Sequence, residues 1–432
     1  MKYTGKELIS QLRDRGLIAQ QSAYEELEAH LDISRVLYCG FDPTADSLHL
    51  GHLVPLLVMK RFQMAGHSPI ALVGGATGMI GDPSFKASER KLLPDAVISE
   101  WGAKIKSQVS SFIDFQGSDN SGKVVNNLEW IGELGALEFL RDVGKHFSVN
   151  NMITKESVKQ RINREGSGIS FTEFSYSLLQ SYDFAELFRR YGCTLQIGGS
   201  DQWGNIIGGI ELCRRQFKKA CYGLTVPLIT KDDGKKFGKT ETETIWLDAS
   251  KTSPFSFYQF WLNVADADVY RFLRFFTFLS LEEIERLEAI DKVSDNRPKA
   301  QKSLASEVTR LVHGENGLEA ARRITEVLFS GDASLLNESD FAQLRQDGLP
   351  FSALDDANLP LTQLLVECGI AKSGREVKDA LNHGSVFIKG KPKSSADNML
   401  GSDNFSSEQA HCDSYFLVRL GKKKYHLFQL PK

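Results

Sequence analysis

Val36 to Phe41 is an apolar run that breaks at Asp42-Pro43-Thr44, after which apolar residues return at helical spacing at Leu50, Leu53, Leu56, Leu57 and Phe62. This order, strand then turn then helix, is that of a parallel sheet, where a neighbouring strand is reached only through a crossover. Pro69–Val73, Thr194–Ile197 and Thr225–Ile229 read as further strands, alternating with helical stretches and several ending in glycines. The predicted class is α/β, with a doubly wound parallel sheet at its centre. In such sheets ligands bind beyond the carboxyl ends of the strands, where these glycine-rich turns would lie.

The turn after the first strand delivers His49 and His52 to the opening turn of the predicted helix. Unpaired N–H groups and the positive end of the helix dipole favour an anion there, and Gly51 lets it approach the backbone closely. Histidines at a helix start can equally be plain caps. Far downstream, Lys235-Lys-Phe-Gly-Lys-Thr240 follows the turn-like Lys231-Asp-Asp-Gly234, which offers a basic loop able to close over polyphosphate, or simply a solvated turn. Tyr176, Gln180 and Asp183 are four and three residues apart, so on one helix they share a face. Among Leu178, Leu179 and Phe184 that face reads as a lined pocket or a wet stripe.

At 432 residues the chain should divide into two or three domains. The N-terminus has neither a signal-peptide core nor an arginine-rich transit pattern, and no apolar run approaches a membrane span, so a cytoplasmic protein with no membrane association is expected. Cysteines 39, 193, 213, 221, 368 and 412 form no Cys-x-x-Cys pair, which argues against a zinc knuckle and a disulfide framework. Net charge is −3, but residues 361–432 hold 11 Lys and Arg against 7 Asp and Glu, leaving 41 against 48 elsewhere. A basic tail on an acidic body fits RNA contact or mere solubility.

Residues 1–32 read as a polar helical segment. Phe255 to Glu288 and Lys299 to Phe329 read as helices whose phenylalanines are core residues. Residues 330–358 are rich in Gly, Asp, Ser and Asn and hold a linker. From Leu359 two short helices and the strands Val386-Phe-Ile and Phe416-Leu-Val are expected, with Lys372, Arg375 and Lys378 on or beside the second helix, available to phosphate.

Taken together, His49-Leu-Gly-His52, Lys236-Phe-Gly-Lys-Thr240, Ala71-Leu-Val-Gly-Gly-Ala-Thr-Gly-Met-Ile-Gly-Asp-Pro83, Gly168-Ile-Ser-Phe-Thr-Glu-Phe-Ser-Tyr176 and Leu195-Gln-Ile-Gly-Gly-Ser-Asp-Gln-Trp-Gly-Asn205 resemble the motifs of class I aminoacyl-tRNA synthetases of the bacterial tyrosyl type. The resemblance covers essentially the whole chain. It implies activation of L-tyrosine with ATP, Mg2+ carried on the ATP phosphates with no tightly bound protein metal site, transfer to tRNA(Tyr), and a homodimer. It also implies a Rossmann-like catalytic domain over 1–250, a helical anticodon-binding domain over 251–345, a linker over 346–358 and a small α+β RNA-binding domain over 359–432.

Carried over residue by residue, the resemblance places Thr44 and His49 on the terminal phosphate, with Lys86, Arg90, Lys236, Lys239 and Thr240 holding pyrophosphate in the transition state. Cys39, Gly51, His52, Gly199, Asp201 and Lys239 would serve ATP. Tyr38 and Asp183 would meet the phenolic hydroxyl of tyrosine, Asp82, Tyr176 and Gln180 its ammonium, and Gln202 its carboxylate. Activation joins an already ionised carboxylate to the α-phosphorus, so it needs alignment and positive charge rather than a strong general base. Without the resemblance Lys86 and Arg90 read as surface charges, and Tyr38 and Tyr176 as core aromatics. Pro55, one turn beyond His52, and Phe237-Gly238 in place of the commoner Met-Ser depart from the class pattern. A tryptophanyl enzyme is the nearest rival reading, a synthetase-derived RNA-binding protein a more distant one.

Overall fold

The computed structural model describes residues 3–82, 94–117, 119–154, 158–159, 162, 169–230, 237, 244–293, 299–330, 335–354, 359–388, 390–397, 405, 410, 415–421 and 424–430. The chain divides into two compact units, Met1–Asp248 with Ala265–Ala300, and Ala249–Val264 with Gln301–Lys432.

The first unit is built on a sheet of six strands: β1 (Gln20–Gln21), β2 (Val36–Phe41), β3 (Ser68–Val73), β4 (Lys123–Asn126), β5 (Cys193–Gly199) and β6 (Tyr222–Val226). Their spatial order is β1-β6-β5-β2-β3-β4, all parallel except β1, which runs antiparallel to β6. The chain runs outward from β2 through β3 to β4, then returns to lay β5 on the other side of β2. The topological switch point therefore lies between β2 and β5, where a doubly wound sheet opens a crevice at its carboxyl edge.

β2, β3 and β5 fall where the apolar runs predict them. β6 lies N-terminal to the expected 225–229 and ends at Val226, because Pro227 has no N–H for a further sheet bond. Its Gly223 disguises the strand in sequence, yet a Cβ there would come within 2.4 Å of Ile206 Cγ2, so the helix above requires the glycine. The leading segment is not wholly helical. Gln20 pairs with Thr225 and Gln21 with Leu224, a two-residue edge strand created by its partner rather than by its own propensity.

Helices Asp266–Phe276 and Leu281–Val293 also belong to this unit, and Phe272 and Phe276 are fully buried, as the core reading of the phenylalanines expects. The second unit carries helices Pro254–Leu262, Glu338–Gln346 and most of Ala300–Ser330, the last kinked at Gly314, whose φ of 72° and ψ of −178° are not helical. Beyond them helices Leu361–Glu367 and Gly374–Asn382 accompany a sheet of β7 (Phe351–Ala353), β8 (Val386–Ile388), β9 (Lys391–Lys393), β10 (Tyr415–Leu420) and β11 (Lys424–Gln429) in the order β7-β11-β10-β8-β9. Phe351–Ala353, in the stretch expected to be a connector, is thus a strand parallel to β11. No helix among the described residues is long and apolar enough to cross a membrane.

Candidate active site

Those of the expected site residues that are described gather at the carboxyl edge around the β2/β5 switch point. Successive residues of β2 point to opposite faces of the sheet. Tyr38 goes into the core against Phe184, ring centroids 5.2 Å apart. Helix Phe171–Tyr191 supplies the wall opposite. Its Ser170 hydroxyl accepts from Glu173 N–H at the start, and Gly192, at φ 63°, closes its end in the left-handed conformation that glycine adopts without strain. Tyr176 and Asp183 are buried on this helix, and Gln180, half-buried between them, has an Oε1 with no partner among the described residues.

A continuous hydrogen-bond chain joins these groups, and four of its members escaped the sequence reading. Trp130 Nε1 donates to Asp183 Oδ1 at 2.8 Å, and Asn127 Nδ2 donates to Asp183 Oδ2 at 3.0 Å. Asn127 also donates to Thr77 Oγ1 at 3.0 Å, Thr77 donates to Asp42 Oδ1 at 2.7 Å, and Tyr176 OH donates to Asp42 Oδ2 at 2.7 Å. The Ala76 N–H, given to Asn127 Oδ1 at 2.8 Å, fixes which way that amide points. Asn127 follows the edge strand β4, and Trp130 reads as an ordinary core aromatic. Nothing in their spacing marks them.

Burial pushes the Asp183 carboxyl up to about 8, against the opposing pull of the donors Asn127 and Trp130. Burial also raises the Tyr38 phenol, helped by the charge of Asp183, and the Tyr176 phenol, helped by Asp42 and Asp82. Tyr38 OH is buried with no partner among the described residues. The site therefore presents a carboxyl group whose two oxygens are already oriented, beside a hydroxyl unmet among the described residues. That arrangement suits one further polar group at the end of an apolar ligand. Further along the edge, Gln202 Nε2 donates to Asp82 Oδ2 at 2.7 Å, so these two expected residues meet each other directly.

The histidine turn caps its own helix. His49 Nδ1 accepts from Gly51 N–H at 3.0 Å, His52 Nδ1 accepts from His49 N–H at 3.2 Å, and the two rings stack at 4.0 Å. Helix Leu50–Ala65 thus begins with a capping box made by imidazoles, with Pro55 tolerated in its second turn. Burial, and then the neighbouring His49, drive the His52 imidazole well below its ordinary value, so it is neutral near pH 7. A Cβ on Gly51 would lie 2.8 Å from His49 Cε1, so that position has room only for glycine.

The segment C-terminal to the basic loop runs alongside this turn. Leu50 N–H donates to Ile245 O at 3.0 Å, Leu247 N–H to Leu48 O at 2.9 Å, and His49 pairs with Trp246. Phe237, inside the basic motif, donates its N–H to Ile229 O at 2.9 Å and packs on Phe272 at 4.2 Å. Lys86, Arg90, Lys236, Lys239 and Thr240 lie outside the described residues. Of the other expected nucleotide residues, Thr44 is exposed, its N–H given to Asp42 O at 2.8 Å. Cys39 is buried, its thiol pushed up to about 12 by burial and by Asp201. A Cβ on Gly199 would stand 2.4 Å from Asp201 Oδ1, so the glycine gives that carboxylate its place.

Residues 34–330 match the family of class I tRNA synthetases (W and Y), and residues 340–428 match the tyrosine–tRNA ligase SYY-like C-terminal domain. The tyrosine–tRNA ligase of Aliivibrio fischeri (strain MJ11) is 59% identical over 423 residues, 98% of each chain. That of Escherichia coli (strain 55989 / EAEC) is 57% identical over 421 residues, 97% of this chain and 98% of its own. Among solved structures, a C-terminally truncated mitochondrial tyrosyl-tRNA synthetase of Aspergillus nidulans aligns with a TM-score of 0.68 at 30% identity, covering 76% of this chain and 97% of that one. A tryptophanyl-tRNA synthetase of Encephalitozoon cuniculi, at 15% identity and a TM-score of 0.51, shares the fold.

Proposed function

The chain belongs to the class I tRNA synthetases (W and Y), among their tyrosine–tRNA ligases, and from that premise we propose how its residues divide the work. The reaction is that of the family: L-tyrosine and ATP give tyrosyl-adenylate and pyrophosphate, and the tyrosyl group then passes to the 3′ end of tRNA(Tyr).

Tyr38 and Asp183 take the phenolic hydroxyl. The observation that carries this assignment is the buried Asp183 carboxyl group, held by Asn127 and Trp130 beside a Tyr38 hydroxyl that has no partner among the described residues. A ligand without a hydroxyl leaves these groups desolvated and unmet, which costs about 1 to 3 kcal/mol for each unsatisfied group. Asp82, Tyr176 and Gln180 hold the ammonium and Gln202 the carboxylate; the Gln202–Asp82 bond supports placing both α-carbon groups at one edge.

Cys39, Gly51, His52, Gly199 and Asp201 serve the adenosine, with Thr44 and His49 at the phosphates. A neutral His52, its Nδ1 already accepting from His49 N–H, can donate from Nε2 without adding charge to the ground-state complex. The cationic Lys86, Arg90, Lys236 and Lys239, with Thr240, are assigned to the pyrophosphate as its charge develops, where binding lowers the barrier instead of merely tightening ATP. Mg2+ enters on the ATP phosphates. A donor set of imidazoles and lysines fits polyphosphate better than a resident ion, and Mg2+ commonly keeps water and substrate phosphates as ligands.

We further propose a cytoplasmic homodimer, supported by the apolar side chains that one segment leaves exposed: Leu137 at 84%, Leu140 and Val149 at 57%, with Phe171 at 77% just beyond. Catalysis is assigned to residues 1–250, anticodon binding to 251–345 and further tRNA contact to 359–432, joined through 346–358. Arg375 and Lys378, exposed on helix Gly374–Asn382, support the last assignment. Pyrophosphate exchange measured separately with tyrosine, tryptophan and phenylalanine tests the amino-acid assignment. Exchange driven by tyrosine is expected; faster exchange with tryptophan would overturn it.

A further inference from the structure

We infer that Arg190 is a positioning residue for tyrosine selection, acting through Trp130 on Asp183; this rests on the assignment of Asp183 to the phenolic hydroxyl. The Arg190 guanidinium carbon lies 5.3 Å from the centroid of the Trp130 ring, and the same indole gives its N–H to Asp183. Arg190 Nε is itself anchored, donating to Glu186 Oε2 at 2.8 Å, a carboxylate that Arg189 also holds at 3.0 and 2.6 Å. Asp183, Glu186 and Arg190 are spaced by three and four residues on helix Phe171–Tyr191, so they lie along one face. The indole spans that face, from the buried carboxylate at one end to the surface cation at the other.

Burial divides the roles. Trp130 is 3% exposed and Asp183 2%, while the Arg190 side chain keeps 33% of its surface open. Arg190 therefore forms the solvent-side cover of the indole and never touches the ligand. Two effects follow from a cation over that ring. It draws on the negative π face and makes the ring edge more positive, which strengthens the N–H donation to Asp183. It also closes the outer side of the indole, so the ring cannot swing its N–H away from the carboxylate.

Among the described residues, Trp130 donates to Asp183 Oδ1 and Asn127 to Oδ2. These donors set the direction of the remaining lone pairs, and only a ligand with a hydroxyl reads that direction. Loosening Trp130 should weaken tyrosine and leave phenylalanine, already unable to use the acceptor, where it was.

The test is pyrophosphate exchange by the full chain, as wild type, Arg190→Ala and Arg190→Lys, with tyrosine and with phenylalanine. Arg190→Ala is expected to raise the tyrosine KM about 3- to 10-fold, the loss of one cation–π contact and its anchoring, with kcat, the ATP KM and the phenylalanine KM held. Arg190→Lys should recover part of the loss, since it keeps the charge but not the planar fork. An unchanged tyrosine KM, or tyrosine and phenylalanine KM values rising together, would overturn the proposal. Asp183→Asn, run in parallel, separates the two readings. Discrimination lost in Asp183→Asn but intact in Arg190→Ala overturns the role of Arg190 alone; discrimination intact in Asp183→Asn overturns the underlying assignment and this proposal with it.

Discussion

Tyr38 and Gln196 stand opposite each other across the β2–β5 pairing, and each carries a buried oxygen with no hydrogen-bond partner among the described residues. Side chains of paired positions project from the same face of a sheet, so the two unmet atoms share one side of the switch point. A buried polar atom left unmet costs about 1 to 3 kcal/mol, and a bound polar ligand offsets that cost.

Tyr38→Phe follows from this. Without tyrosine present, the variant should be as stable as wild type or more stable, by about 1 kcal/mol, because an unsatisfied hydroxyl is removed from the core. Its tyrosine KM should rise several-fold. Urea unfolding without ligand, set beside exchange kinetics, checks both parts, and a clear loss of ligand-free stability would contradict the reading of the hydroxyl as unmet.

Asp183 should make ligand-free stability depend on pH. Its carboxyl titrates at about 8 in the folded chain against an ordinary 3.8, so between those values the native state holds a proton that the unfolded chain has lost. Its contribution is therefore fully present below about pH 4, falls as pH rises and is exhausted near pH 8, with a slope of at most about 1.4 kcal/mol per pH unit. Asp183→Asn should flatten that slope in denaturant melts across this range. An equally steep slope in the variant would place its origin elsewhere.

Gly199→Ala should act on the nucleotide alone. The added methyl would meet Asp201 Oδ1 at 2.4 Å and must displace that carboxylate. The expected result is a raised ATP KM with the tyrosine KM nearly unchanged, read from exchange at varied ATP. Equal shifts in both would show that the whole strand end had moved.

The sheet was legible because its central strands are continuous apolar runs. The signature motifs were legible because glycines and histidines in fixed order have few other uses. What escaped depends on tertiary partners. Gln20–Gln21 is a strand only because β6 offers an edge, and Gly223 breaks the strand pattern of β6 only because Ile206 needs the space. In the site, Tyr176, Gln180 and Asp183 could be grouped by helical spacing. Asp42, Thr77, Asn127 and Trp130 could not, since they come from three separate loop or helix starts and meet only once the sheet is assembled.

Charge reversal at Arg375 and Lys378 is a better probe of the terminal module than truncation. Tyr415, Leu417 and Leu427 pack with Ile324, Val327, Phe341 and Leu344 in one apolar cluster, so cutting the chain near residue 359 would also strip the core of the helices before it. Arg375→Glu with Lys378→Glu should lower tRNA charging about tenfold or more at moderate salt while tyrosine-dependent exchange continues at the wild-type rate. A parallel loss of exchange would tie these residues to activation.

The antiparallel pairing of residues 48–50 with 245–247 also fixes a sequence of events during synthesis. β2 and the histidine turn leave the ribosome early, whereas their backbone partners emerge only after β5 and β6 have been made. A nascent chain cannot complete the pairing of the histidine turn until that late segment arrives, and a contact so distant in sequence adds to the entropic barrier to folding. Translation pauses placed before residue 245 would then hold the chain in a form with its sheet begun and its histidine turn unpaired.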